Sequence, residues 1–244
     1  MSRISFENYG KGAKISNSST NTTVLAGRYA TQEESERYIL LDVVEKLEIS
    51  PYDSVLDIGT GPGSIAIPLS FLCKKMTVID HLDVLDGLRK RCSGIQNLHF
   101  QSGNFLDMET DERFNKIIVY SVLHYLTDNR EVIKFIEKAI SILHKGGVIL
   151  FGDLPNISKK ARFLESEFGK KFVKKWNKIP HSSIDEKVFE NDERTPTFDD
   201  AMILSMVEKI RSSGYHAYVL PQSQNLPFGY TREDILVVNP NDEN

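Results

Sequence analysis

The chain has 244 residues, 40% of them hydrophobic and 26% charged, which is enough apolar material to close one sizeable core and excludes an intrinsically disordered chain. A formal charge of −4 excludes a global pull toward nucleic acid or anionic membrane, so any such partner must be argued from a local patch. Two cysteines, Cys73 and Cys92, exclude a disulfide framework and lack metal-site spacing, and no run approaches the roughly 20 apolar residues that span a bilayer. The N-terminal "MSRISFENYGKGAK" has no apolar signal core, so a reducing, cytoplasmic compartment is expected.

Residues 1–31 are rich in Ser, Thr, Asn and Gly and read as an arm or lid. "QEESERYILLDVVEKLEI" then predicts a helix with Leu40, Val44 and Leu47 on its apolar stripe and acidic residues where the helix dipole favours them. Val55 to Ile58 reads as the first strand and Ser64 to Cys73 as a helix leaving a glycine turn. A strand at 75–80, a helix at 82–92, a strand at 98–103 and a strand at 116–123 follow. "REVIKFIEKAISILHKGG" predicts a helix over 130–147 stopped by Lys145-Gly146-Gly147, before a fifth strand at 148–153. This alternation of apolar strands and helices implies an α/β fold with a doubly wound, mostly parallel sheet. Residues 155–198 interrupt it and read as an inserted helical cap or lid. A helix over 199–215 and strands at 215–222 and 233–239 complete the core domain, which comprises 32–154 and 199–244. The last two strands are joined closely enough to be antiparallel neighbours.

The stretch "VLDIGTGPGSIAIPLS" carries the chemistry. Gly59, Gly61 and Gly63 follow a strand end, so backbone can lie against a ligand with no Cβ in the way, and the helix beginning near Ser64 would point its N-terminus there. The dinucleotide fingerprint G-x-G-x-x-G/A meets Gly59 and Gly61 but then Ser64, whereas D-x-G-x-G-x-G is complete in Asp57, Gly59, Gly61 and Gly63. Asp80 ends the second strand, where its two oxygens can accept from vicinal hydroxyls; it can equally cap the helix near Leu82.

The glycine motif, "GNFLDM", "FNKIIVYSVLHYL" and "LHKGGVILFGD" resemble, in order, the segments of class I S-adenosylmethionine (SAM)-dependent methyltransferases. The resemblance covers roughly residues 35–153 with the final helix and hairpin; Asn104 stands where Asp is commonest and Lys145 replaces a Pro. It implies a Rossmann-like sheet of seven strands with the last antiparallel, SAM as cofactor and S-adenosylhomocysteine as product. By the same resemblance Asp57, Gly59, Thr60, Gly61 and Gly63 face the methionine part, Asp80 the ribose, and His81 or Leu82 with Asn104 and Phe105 the adenine. Tyr120 and Ser121 would approach the sulfonium.

A sulfonium methyl needs alignment first and a base only for some acceptors, so catalytic residues are few. His124 beyond the fourth strand can be a base or a packing residue, Asp153 after the fifth can take a proton or cap a turn, and His181 can reach down from the insertion or lie in a loop. From Ser158 to Lys178 there are eight Lys or Arg against two Glu, interleaved with Phe163, Leu164, Phe168, Phe172 and Trp176. These charges either line a solvated face or attract an anionic acceptor. No N/D/S-P-P-Y/F segment follows the fourth strand and neither cysteine lies near it, so nucleic-acid base methylation is not expected. The expected function is methyl transfer to an O or N atom of a small molecule. "NLPFGYTREDILVV" looks like methyltransferases of surface-polysaccharide pathways and points to a sugar or nucleotide-sugar. An NAD-dependent oxidoreductase and a catalytically silent SAM-binding partner are the alternatives; no membrane partner is expected, and oligomeric state is left open.

Overall fold

A computed structural model of the protein describes residues 22–179 and 196–240. Its strands are β1 (Ser54–Ile58), β2 (Lys75–Asp80), β3 (Leu98–Ser102), β4 (Phe114–Tyr120), β5 (Leu143–Pro155), β6 (His216–Pro221) and β7 (Arg232–Val238). They form one seven-stranded sheet in the order β3-β2-β1-β4-β5-β7-β6. The first five strands pair in parallel, and β7 runs antiparallel to both β5 and β6. Strand order reverses between β1 and β4, which opens a crevice beyond their carboxyl ends where α/β sheets bind ligands.

The sheet is covered on both faces, as the apolar character of β1, β2 and β4 requires. One face packs under helices α2 (Glu33–Leu47), α3 (Ala66–Ser70) and α4 (Leu82–Arg91), through Ile39, Val43, Leu69, Leu85 and Leu88. The other packs under α5 (Asn129–Ser141) and α8 (Asp200–Ser212), through Val132, Phe135, Ile136, Met206 and Ile210. A short helix α1 (Thr22–Leu25) precedes α2, and α6 (Ile157–Glu165) and α7 (Glu167–Trp176) fill the region after β5. Cys73 and Cys92 are buried free thiols.

Several expectations are corrected. Helix α2 buries Ile39, Val43 and the expected Leu47 fully, whereas the expected Leu40 and Val44 flank this stripe, half-buried against the same core. The helix after the glycine turn shrinks to five residues: Asn97 Nδ2 donates to the carbonyls of Ser70 (2.6 Å) and Cys73 (3.1 Å), ending it early. Helix α5 stops at Ser141 rather than 147, and the Gly146-Gly147 pair lies inside β5. Gly146 has φ +68, and a Cβ on Gly147 would meet the carbonyl oxygens of His144 and Asn115 at 2.8 and 2.9 Å, so the pair serves the irregular start of β5. Strand β4 ends at Tyr120, and Leu123–Tyr125 form a 3-10 turn.

Helices α6 and α7 form a hairpin hinged at Ser166, whose Oγ accepts from the Gly169 N–H at 3.0 Å. Phe163 stacks on Tyr230 of the β6–β7 connection (centroids 5.1 Å), and Trp176 meets Tyr29 edge-on (5.7 Å). Aromatic packing thus joins the hairpin to the segment before α2.

Candidate functional site

The β1–α3 turn lines the crevice. Gly59, Gly61 and Gly63 have φ of +74, +55 and +85, a region that costs glycine nothing. A Cβ on Gly59 would come within 2.5 Å of Val122 Cγ2, so the close approach of β1 and the β4 turn also requires glycine. Gly63 serves packing instead: its Cβ would meet Leu88 Cδ1 of α4 at 2.3 Å. Asp57, Gly59, Thr60 and Gly61 face the crevice with Tyr120 and Ser121.

Two buried carboxylates set the electrostatics here. Burial, with the nearby Asp80 charge adding to it, pushes Asp57 up to about 7, and its Oδ2 has no hydrogen-bond partner. Burial pushes Asp80 up to about 6 against the opposing N–H groups of Gly61 (2.8 Å to Oδ2) and His81 (2.7 Å to Oδ1). Each Asp80 oxygen thus keeps an acceptor site open. The cap of α4 is not Asp80 but His81, whose Nδ1 accepts from the Asp83 N–H at 3.2 Å. Asn104 Oδ1 caps the next turn through the Leu106 N–H (3.0 Å), while the Phe105 ring lies in the core 4.7 Å from Phe135. Leu82, the first residue of α4, stays 52% exposed.

Beyond β4 the groups are paired with one another. Ser121 has φ +60; its Oγ donates to Asp153 Oδ2 and accepts from Arg28 Nη2 at 3.1 Å. Asp153, with φ +61, is buried and ion-paired to Arg232 at 2.8 Å, and its N–H donates to Asp234. Asp234 also accepts from Gln222 (2.9 Å) and Lys46 (2.6 Å). Arg28 pairs with Glu36 at 3.5 Å, and both line the crevice. Glu36 Oε1 is buried without a hydrogen-bond partner, as is Thr60 Oγ1. His124 lies beside Tyr125 (centroids 4.3 Å) with Nδ1 buried and unpartnered. Burial, then the Arg232 and Arg28 charges, holds its imidazole well below the ordinary histidine range. His181 lies outside the described residues.

A family model for nodulation protein S (NodS) matches residues 31–164, more than half of the chain. The chain belongs to the NodS family. A nodulation protein S of Rhizobium tropici is 27% identical over 103 residues, which cover 42% of this chain and 43% of that protein. The chain matches about half the length, or less, of the curated relatives it resembles. In three dimensions it is similar to N-methyltransferase NodS of Bradyrhizobium japonicum WM9 in complex with S-adenosylhomocysteine, at 16% identity and TM-score 0.57, covering 97% of this chain and 100% of that one. It is also similar to phosphoethanolamine N-methyltransferase 1 of Haemonchus contortus, at 17% identity and TM-score 0.69, covering 98% of this chain and 50% of that one. The fold is that of class I SAM-dependent methyltransferases.

In this NodS-family chain two charged crevice residues escaped the motif: Arg28 and Glu36. Arg28 precedes any periodic segment, and its partner Ser121 is 93 positions away, so local pattern carries no signal for it. Among the described residues no cluster could hold a metal ion, and no helix is long and apolar enough to cross a membrane.

Proposed function

We propose that this NodS-family protein is a SAM-dependent methyltransferase that alkylates an N or O atom of a small polar acceptor. The observation that carries the proposal is the pair of buried oxygens without a hydrogen-bond partner at the glycine turn, Asp57 Oδ2 and Thr60 Oγ1, facing one crevice with the Arg28–Glu36 ion pair. A buried polar atom without a partner costs free energy unless a ligand satisfies it. The donor set fits SAM: Asp57 and Glu36 can accept from its ammonium, Arg28 can pair with its carboxylate, and Asp80 can accept from both ribose hydroxyls. The amide of Asn104 and the side chain of Leu82 are suited to the adenine.

Bound there, SAM supplies a sulfonium methyl that is already activated for transfer. The protein's part is to align the acceptor and exclude water. Tyr120 and Ser121 end β4 at the methyl-transfer side, and the Asp153–Arg232 pair fixes the Ser121 hydroxyl. His124 is the base in this reading: its imidazole is held neutral at pH 7, and because it does not line the crevice and its Nδ1 is buried, the acceptor reaches it past the neighbouring Tyr125, which does line the crevice. The α1–α2 segment and the α6–α7 hairpin, joined by Tyr29 and Trp176, act as the lid. Nitrogen is supported as the target atom by the two N-methyltransferases among the similar structures, and an amino sugar or sugar nucleotide is the acceptor class to test first. Incubation with methyl-labelled SAM and a panel of amino sugars, sugar nucleotides and simple amines should label a small polar acceptor. Product binding without turnover on any acceptor would make the protein a silent SAM binder, and label entering only lipid or aromatic acceptors would remove the sugar class.

A further inference from the structure

The net charge of the chain conceals a division. Residues 158–178 carry eight basic and two acidic side chains, a balance of +6, which leaves −10 on the rest of a chain whose total is −4. Part of this basic charge is internally matched: Lys159 reaches the Arg232 carbonyl and Glu233, Arg162 pairs with Asp200, and Lys170 with Glu167. Lys160, Lys171, Lys174, Lys175 and Lys178 are exposed and have no ion-pair partner among the described residues.

Apolar side chains share the same outer face. On α6, Ile157, Lys160 and Leu164 fall at i, i+3 and i+7, and on α7 Phe168, Lys171 and Lys175 do the same. Ile157 is 54%, Leu164 40% and Phe168 54% exposed. The hairpin's inner aromatics are committed to Tyr230 and Tyr29, and Phe168 rests one side of its ring on Phe163 and Tyr230 (centroids 6.1 and 5.2 Å) while leaving the other exposed, so the hairpin can hold this face out to solvent without collapsing onto itself.

We propose that the outer face of the α6–α7 hairpin docks the protein on an anionic lipid bilayer. Interleaved lysines and apolar side chains on a helical face match that interface: ammonium groups meet the headgroup charge while Ile157, Leu164 and Phe168 enter the acyl boundary. The net −10 elsewhere would be repelled from the same surface, so charge orients the molecule with this hairpin down. A purely electrostatic partner such as RNA would have no use for the three exposed apolar side chains. This docking is independent of the methyltransferase reading.

Sedimentation of the whole protein with phosphatidylcholine vesicles, alone or with about one third phosphatidylglycerol, tests it. Binding is expected to the anionic vesicles only, to be lost at high salt, and to fall by about tenfold or more in a K171E/K174E/K175E variant. Ile157→Ser should also weaken binding while leaving its salt dependence in place. A variant that still binds S-adenosylhomocysteine as wild type has kept its fold, so its lost vesicle binding belongs to the surface. Equal binding to neutral and anionic vesicles, absence of binding to either, or a triple lysine variant that binds unchanged would each overturn the proposal. So would vesicle binding that Ile157→Ser leaves intact and that RNA competes away.

Discussion

The two halves of the crevice are built on opposite principles. On the β1–β2 side, buried carboxylates are left short of partners: Asp57 Oδ2 has none, and Asp80 is balanced only by backbone N–H groups. On the β4–β5 side, charge is matched charge by charge, through Ser121, Asp153, Arg232, Asp234 and Lys46. The first half carries a desolvation cost that a cationic ligand can offset. The second is complete without one and acts as a scaffold. The difference separates binding from positioning: Asp153 looked like a base in sequence, yet its carboxylate is occupied by Arg232 and Ser121.

Asp153→Ala breaks the scaffold and carries the largest expected effect. Leaving the half-buried Arg232 without its carboxylate partner should cost up to about 3–5 kcal/mol of stability, read by denaturant unfolding. A variant of wild-type stability with no turnover would contradict the scaffold role. Next comes His124, whose Nδ1 is buried and unpartnered on this side, as is Gln222 Oε1. His124→Ala should slow turnover by about a hundredfold or more at saturating SAM, and wild-type turnover would return it to packing. Because its folded pKa is depressed, the imidazole is already deprotonated at neutral pH, so the rate should show no step through the ordinary histidine range.

Smaller effects probe the binding half. Asp80→Ala and Arg28→Ala should each weaken S-adenosylhomocysteine by about 1.5–3 kcal/mol in calorimetry, the scale of a hydrogen bond to a charged group. Unchanged affinity would reject that residue's role. The smallest effect is a pH dependence. Asp57 and Asp80 are raised to about 7 and about 6, so their contribution to apo stability is complete below the ordinary carboxylate range and is lost as pH rises through those values. Product binding should run the other way, strengthening by up to about tenfold per pH unit below the Asp57 value, because the ammonium prefers the ionised carboxylate. Asp57→Asn should flatten that slope; an unchanged slope would assign it to another group.

What the sequence made legible follows the range of the forces involved. The strands, the order of elements and the residues of the D-x-G-x-G-x-G turn were readable because apolar runs and glycine placement are local signals. The end of α5 was misread because Lys145-Gly146-Gly147 has the composition of a helix stop, whereas the contacts that require Gly147 come from His144 and Asn115. The short α3 has the same kind of cause, since Asn97 is 27 positions from the Ser70 carbonyl it takes. His81 or Leu82 was expected at the adenine, and the structure shows that His81 also caps α4; Phe105 was expected there and lies in the core against Phe135. Arg28 and Glu36 went unread because an isolated charge acquires meaning only when the β4 turn folds beside it.

The most direct test of a SAM-binding crevice is calorimetric titration of the purified protein with S-adenosylhomocysteine, with NADH titrated in parallel. The account predicts micromolar binding of the homocysteine product and no heat with NADH. Binding of NADH with silence toward S-adenosylhomocysteine would contradict it, and would mean that Asp57, Glu36 and Arg28 serve some other ligand.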